Sequence, residues 1–371
     1  MTSRKHMPAI TVGEDPFERG LKHGQQFAAD VAANVETYLL RFEASGLPRA
    51  EALEEALRWQ RAMESQNAEY AEEMLGLAKG SEQSAAAIAL LNARYEIAFM
   101  IFGKDARKQE QATSETDGCT TFGLLSDVTA DGHTWLGQNW DWIAGVHQRT
   151  LVLRIQRKNK PSLVCMTEAG IVGGKMGVNE LGIGLVENGL ASHLDGCNPY
   201  QKPFHMRCRE VLDADCYANA LSPIVATKRT CSANFVIGGA QGEIIDLETS
   251  PNHVSYLLPQ QGIVTHSNHF LGNGHGDSQM EKVSPGTLFR AARMRRLLEK
   301  GGRAIDVATM TAAMSDHFSF PHALCRHPDP KQAPAKQTMT TGAVLIDLEL
   351  RTMHVADGPP CEFSFVAHPV S

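Results

Sequence analysis

The first 118 residues contain no cysteine, and none of the eight that follow (119, 165, 197, 208, 216, 231, 325 and 361) belongs to a C-x-x-C pair. In a chain of 371 residues without an apolar signal core at its start, free thiols are expected rather than a disulfide framework. Long apolar runs are missing as well: 85–91 and 97–102 fall far short of a membrane span. No run of lysine and arginine is longer than Arg295-Arg296, and the net charge is −7, so a nucleic-acid partner is not expected. There is no G-x-S-x-G elbow, no P-loop, and no dinucleotide fingerprint followed by an acid. Solenoid repeats and low-complexity linkers are absent too. These absences leave a cytoplasmic globular protein as the expectation, with no membrane partner; homo-oligomerisation stays open.

What is present is ordinary for a globular chain, with 43% hydrophobic and 21% charged residues. The first hundred residues read as helical. Asp15-Pro16-Phe17-Glu18 is a helix start, and apolar residues from Phe17 to Phe42 recur at helical spacing until Ser45-Gly46-Leu47-Pro48. A second helix is predicted over 49–79 with Gly80 as its stop, and a third over 84–102. From Cys119 onward the pattern changes to short strands: 119–126 and 134–141 around a turn at Ala130-Asp131-Gly132, then 151–157, 162–167, 175–178 and 183–187. A helical interlude at 203–226 precedes strands at 234–237, 243–248 and 253–258. A helical pair (to 300, and 304–317) precedes the last strands at 343–348, 352–356 and 363–367. Antiparallel strands divided by two helical sets imply an α+β sandwich of sheets between helices.

The two halves meet at Asp117-Gly118-Cys119-Thr120-Thr121-Phe122. Residues 103–118 are charged and polar, with two alanines as their only apolar side chains, and they read as a flexible scissile loop. Gly118 leaves its carbonyl sterically open, and Cys119 supplies a thiol at the start of a strand. This order suits self-cleavage between Gly118 and Cys119 by an acyl shift. The α-amino group so released has a reference pKa of about 7.7–8.0, so it can act as base for its own thiol. The plainer alternative is a buried cysteine that fills space.

Three further positions carry candidate chemistry. Asp141, in Gln138-Asn139-Trp140-Asp141-Trp142, either bonds local backbone as a turn aspartate or faces Cys119 across the hairpin and orients its amine. Asn268, in Thr265-His266-Ser267-Asn268-His269, either bonds backbone or donates to an oxyanion, a role whose loss costs about 3–4 kcal/mol of barrier. Arg326 either pairs with an acid or clamps a substrate carboxylate. His205-x-x-Cys208, His266-x-x-His269 and His322-x-x-Cys325 lack a second pair at zinc spacing, so no metal is expected.

Together these residues resemble the acyl-coenzyme A:6-aminopenicillanic acid acyltransferase (isopenicillin-N acyltransferase) family. The similar blocks are 16–20, 22–24, 76–80, 91–96, 117–121, 137–141, 167–171 and 266–269, and their order is more specific than any one of them. The resemblance implies a four-layer αββα N-terminal nucleophile hydrolase. It implies cleavage before Cys119 into an α chain of 118 residues and a β chain of 253, together forming one domain. It also implies Cys119 as nucleophile, Asp141 as supporting carboxylate, Asn268 in the oxyanion hole and Arg326 in the substrate region. No cofactor is implied, although a coenzyme A thioester can serve as co-substrate. Two departures stand out: the 103–118 loop is longer than in the fungal members, and their peroxisomal tail is absent. The expected partner is a small amide or acyl thioester. A β-alanyl-amine hydrolase and an uncleaved binding protein are the alternatives.

Overall fold

The computed structural model describes residues 4–107 and 118–371. Among them are fourteen strands in two sheets and eleven α-helices. The N-terminal part forms β1 (Ala9–Val12), α1 (Pro16–Gln26), α2 (Ala28–Ala44), α3 (Arg49–Gln66), α4 (Ala68–Ser81), α5 (Ala85–Asn92) and α6 (Arg94–Arg107). The strand series begins with β2 (Thr120–Leu124), β3 (Trp135–Ile143), β4 (Thr150–Ile155), β5 (Leu163–Glu168), β6 (Met176–Asn179) and β7 (Ile183–Gly189). Then follow α7 (Phe204–Leu212), α8 (Tyr217–Val225), β8 (Ala233–Gly239), β9 (Glu243–Ser250), β10 (His253–Leu257) and β11 (Ile263–His266). The chain closes with α9 (Met280–Val283), α10 (Thr287–Leu298), α11 (Val307–Met314), β12 (Thr338–Asp347), β13 (Thr352–Ala356) and β14 (Val366–Pro369).

One sheet has the order β1-β4-β5-β6-β7-β8-β9-β10, and the other β11-β2-β3-β12-β13-β14. Every pair is antiparallel except β1 with β4. The sheets face each other where β2 and β3 cross β7 and β8. Helices α7 and α8 pack on the outside of the eight-stranded sheet, and the N-terminal helices join them there. Tyr95 of α6 donates to Ser232 O at 2.6 Å and Asn34 of α2 to Ala169 O at 2.9 Å. Helices α10 and α11 cover the six-stranded sheet over a second core of Phe122, Leu124, Ile263, Met294, Leu298 and Met310. The result is the expected four-layer αββα sandwich.

Each long N-terminal helix read from sequence is in fact two. The first breaks at Phe27. The second breaks at Asn67, whose Oδ1 accepts from the Tyr70 N–H at 3.0 Å and caps α4, a signal that the continuous apolar periodicity hid. The third breaks at Ala93. Helix α6 runs on to Arg107, so residues 103–107 are helical where a loop was expected; the remainder of that expected loop, 108–117, lies outside the described residues. Strands β1 and β11, of four residues each, have no counterpart among the strands expected from the sequence.

Gly80 is not a helix stop either: α4 continues to Ser81 and Glu82 takes the left-handed position (φ 56°). Gly80 belongs instead to a seam of glycines that brings α1 and α4 into backbone contact. A Cβ on Gly76 would lie 2.0 Å from Phe17 O, one on Gly80 2.2 Å from Leu21 O, and one on Gly20 1.9 Å from Glu73 O. Buried ion pairs lock the same seam, with Arg19 Nε 2.8 Å from Glu73 Oε2 and Arg209 Nη2 3.2 Å from Glu73 Oε1. A second buried cluster docks the helices against the sheets: Glu168 of β5 accepts from Tyr38 Oη at 2.6 Å and pairs with Arg94 and with Lys175 at 2.9 Å. Lys175 lies 3.8 Å over the Trp140 ring of β3, and Trp142 donates to Tyr38 Oη at 2.6 Å. The motif blocks 16–20, 76–80, 91–96 and 167–171 are therefore joints of the scaffold.

Two outcomes test this scaffold. Gly76→Ala is expected to lower unfolding free energy by about 2 kcal/mol or more, because the obstacle is backbone. Gly13→Ala, with nothing within 4 Å of the new carbon, is expected to stay within about 0.5 kcal/mol; equal effects in urea unfolding would refute the seam. Burial pushes the Glu96 carboxyl up to about 7, outweighing the Phe204 N–H that it accepts. Folding therefore favours its protonated form, a contribution complete below the unfolded value near 4.5 and lost as pH rises through 7. The stability of wild type relative to Glu96→Gln should fall between pH 4.5 and 7 and level off above, and a pH-independent difference would contradict this.

Candidate active site

Cys119 sits directly before β2, fully buried, and its side chain joins the main core with Trp140 and Val344, not the second core under α10. The β2–β3 register (Thr120 opposite Asn139) continues backwards, so that Gly118 lies across from Asp141 and its N–H donates to Asp141 O at 3.4 Å. Strand β3 is anchored for this purpose. Asn139 Nδ2 donates to the carbonyls of Met314 and Leu324, each at 2.8 Å, and Gln138 Oε1 accepts the Glu187 N–H at 2.7 Å.

Two buried arginines frame the Gly118–Cys119 peptide. Arg290 projects from α10, and its Nη1 donates to Gly118 O, to Cys119 O at 2.6 Å and to Thr120 Oγ1 at 2.9 Å. Its Nη2 donates to Asn268 Oδ1 at 2.6 Å. Arg326 lies on the other side. Its Nε is 3.2 Å from Asp141 Oδ2, and Thr340 Oγ1 donates to Asp141 Oδ1 at 2.6 Å. A Cβ on residue 118 would lie 2.9 Å from the Arg326 guanidinium, so the glycine is needed for close packing against that plane.

All five residues singled out in the sequence therefore meet in one cluster. Asp141 is not a turn aspartate; it lies mid-strand and bonds Thr340 and Arg326 side chains. Asn268 takes up part of the plainer alternative, since its Nδ2 donates to Gly189 O at 2.9 Å. The bond from Arg290 fixes Oδ1 as the acceptor and thus turns Nδ2, with its second proton, away from the arginine. Arg326 pairs with an acid, as its plainer reading anticipated, while its buried Nη2 has no hydrogen-bond partner among the described residues. Arg290 went unread in the sequence. It stands in the run Arg290-Ala-Ala-Arg293-Met-Arg295-Arg296, and its burial (0% exposed) beside the half-buried Arg293 and Arg295 and the exposed Arg296 is a distinction that only packing reveals.

A cleft of about 520 Å³ leads to this cluster, lined by Val283, Pro285, Phe289, His322, Arg326 and Thr338 among others. Neighbouring histidines are already committed. His266 Nε2 faces Glu248 Oε1 at 3.0 Å and its Nδ1 faces Ser267 O at 2.8 Å; His269 Nδ1 faces Thr287 Oγ1 at 3.1 Å. Burial alone would lower His266, but the carboxylates of Asp246 and Glu248 overcome it and raise its pKa. His205 lies against Asn92 O. Of the three spaced pairs considered for zinc, only His322-x-x-Cys325 contributes a member, Cys325, to a group of clustered ligand atoms, with His317, His327 and Cys361.

Among the described residues, no single helix is long and apolar enough to cross a membrane. The acyl-coenzyme A:6-aminopenicillanic acid acyl-transferase family matches residues 128–358, a span that contains Asp141, Asn268, Arg290 and Arg326 and begins just after Cys119. The acyl-coenzyme A:6-aminopenicillanic-acid-acyltransferase 40 kDa form of Emericella nidulans is 29% identical over 320 residues, covering 85% of this chain and 84% of that one. Among solved structures, the Caenorhabditis elegans N-acylethanolamine-hydrolyzing acid amidase ortholog is 14% identical, with a TM-score of 0.48, over 62% of this chain and 94% of that one. Penicillin V acylase from Agrobacterium tumefaciens is 13% identical, with a TM-score of 0.45, over 64% of this chain and 83% of that one. The matched span covers well over half of the chain's 371 residues: the chain belongs to the acyl-coenzyme A:6-aminopenicillanic acid acyl-transferase family and is an enzyme.

Proposed function

We propose that this chain is a self-cleaving cysteine amidohydrolase and acyltransferase, in which Cys119 acts first on its own chain and then on substrate. The observation that carries this reading is the placing of the Gly118 carbonyl, the Cys119 residue and Asn268 on one buried guanidinium, Arg290. In self-cleavage, Cys119 Sγ attacks the Gly118 carbonyl carbon. Arg290 Nη1 receives the negative charge on Gly118 O, where it already donates. The C–N bond breaks, the Cys119 nitrogen leaves as an amine with the thiol's proton, and Gly118 is held as a thioester. Water hydrolyses that thioester to a carboxylate and restores the thiol.

Turnover then reuses the same atoms. The α-amine of Cys119 takes the thiol proton, and Sγ adds to the carbonyl of a small acyl amide or acyl thioester. Asn268 Nδ2 offers its second N–H to the oxyanion; the leaving amine or thiol departs with the proton. Water completes hydrolysis, and an acceptor amine completes acyl transfer; a coenzyme A thioester fits as acyl donor, and no cofactor enters these steps. Asp141 acts as the carboxylate that orients the new amine, since it stands across from Gly118. The described lining of the cleft presents the Arg326 guanidinium and no carboxylate, which favours a substrate bearing an acid over a cationic β-alanyl amine.

Freshly refolded wild type is expected to convert from one chain to fragments ending at Gly118 and beginning at Cys119, while Cys119→Ala stays whole. Arg290→Met should slow conversion about 10²–10³-fold, as for loss of an oxyanion donor, with Arg290→Lys intermediate and both variants melting cooperatively. Conversion of Arg290→Met at the wild-type rate would remove the arginine from the mechanism, and a wild type that never converts would leave the binding-protein reading. For the mature enzyme, Arg326→Met is expected to raise KM for acid-bearing amides at least tenfold while sparing their methyl esters. Equal effects on acid and ester would rule out the carboxylate clamp.

A further inference from the structure

Arg326 is held between two residues of a second cluster. His317 lies beyond the end of α11, Cys325 and His327 flank Arg326, and Cys361 lies between β13 and β14. One ligand atom from each falls within 4.8 Å of all the others. The separations are 3.4 Å for Cys325 Sγ to Cys361 Sγ, 3.4 Å for Cys361 Sγ to His327 Nε2, 3.7 Å for Cys325 Sγ to His327 Nε2, and 3.1 Å for His317 Nε2 to His327 Nε2. A tetrahedral zinc with Zn–S of about 2.3 Å and Zn–N of about 2.05 Å sets S···S near 3.8, S···N near 3.6 and N···N near 3.4 Å. The four separations match within about 0.4 Å, and the two remaining ones, from His317 to each sulfur, lie within 4.8 Å. A Cys325–Cys361 disulfide would need sulfurs about 2.05 Å apart.

The surroundings fit as well. Glu362 Oε1 lies 3.4 Å from His327 Nδ1, the nitrogen that points away from the cluster, as a carboxylate that orients a metal-bound imidazole does. His317 and Cys361 are exposed, so an ion can enter from solvent, while Cys325 is buried and anchored by its N–H to Asp316 O at 3.0 Å. Two thiolates and two imidazoles in a tetrahedron select zinc over harder cations.

We propose that His317, Cys325, His327 and Cys361 bind one zinc ion. With four protein ligands it is a closed, structural site. The ion ties the segment 317–327 to the C-terminal part at Cys361, and so fixes the backbone on both sides of Arg326, whose side chain packs on Gly118 and pairs with Asp141. Zinc here is a positioning device for the active-site arginine and takes no part in bond making. The sequence concealed it because the ligands are spaced 8, 2 and 34 residues apart, unlike two C-x-x-C-type pairs.

The test uses the full chain, purified without chelator under reducing conditions, with metal content measured by inductively coupled plasma mass spectrometry. One zinc per chain is expected in wild type and in Cys197→Ser, a cysteine outside the cluster, and its loss is expected in Cys361→Ser and in His317→Ala. Cobalt replacement should give the visible absorption of a tetrahedral thiolate-bound ion, and Glu362→Gln should weaken zinc binding about 10–100-fold. Chelation should lower the melting temperature of wild type and leave that of Cys361→Ser unmoved. Zinc retained at full occupancy by Cys361→Ser, or a reduced wild type that takes up neither zinc nor cobalt, would overturn the proposal. These readouts do not depend on catalysis, so they stand apart from the test of self-cleavage.

Discussion

The Arg290 guanidinium, buried between α10 and the start of β2, organises this molecule around one peptide bond. A buried cation without acceptors costs several kcal/mol, and here the acceptors are the carbonyls of Gly118 and Cys119, the Thr120 hydroxyl and the Asn268 amide. Satisfying the charge therefore fixes the backbone of the reactive stretch and the rotamer of its neighbouring amide together. Arg326 does the complementary work from the other face, pressing on Gly118 and pairing with Asp141. A Cβ at position 118 would lie 2.9 Å from that guanidinium and push it aside, so the glycine permits the close approach of Arg326.

The four layers serve this arrangement. The six-stranded sheet sets β2 beside both β3 and β11, so Cys119, Asp141 and Asn268, far apart in sequence, converge at one sheet end. The helical half before Cys119 is not an appendage. Its glycine seam joins α1 to α4, and the Glu168 cluster ties α2, α6 and β5 to the tryptophans of β3 that flank Asp141. Within the proposed mechanism, a cut before Cys119 would leave the halves joined by these buried contacts.

Much of this was legible in the sequence because it is written locally. The Gly118-Cys119 junction, the change of period at that point, and the hairpin that carries Asp141 are short-range signals. Helix breaks at Phe27, Asn67 and Ala93 were missed because apolar residues continue in phase across them, which hid even the local Asn67 cap of α4. Gly80 was misread for a related reason: a glycine needed for helix contact looks, in one dimension, like one that ends a helix. Arg290 and the Cys325–Cys361 group escaped because their meaning lies in long-range convergence, across 171 residues from Arg290 to Cys119 O and 36 between the sulfurs.

The central claim is that one thiol serves both processing and turnover, with its own α-amine as base. The most direct measurement is peptide-level mass spectrometry of enzyme quenched with acid during reaction with a slowly turned-over acyl substrate. The expected result is a labile acyl adduct on Cys119 as the first residue of the β chain, absent from any uncleaved chain in the same sample. An adduct on intact precursor, or on a residue other than Cys119, would contradict the account.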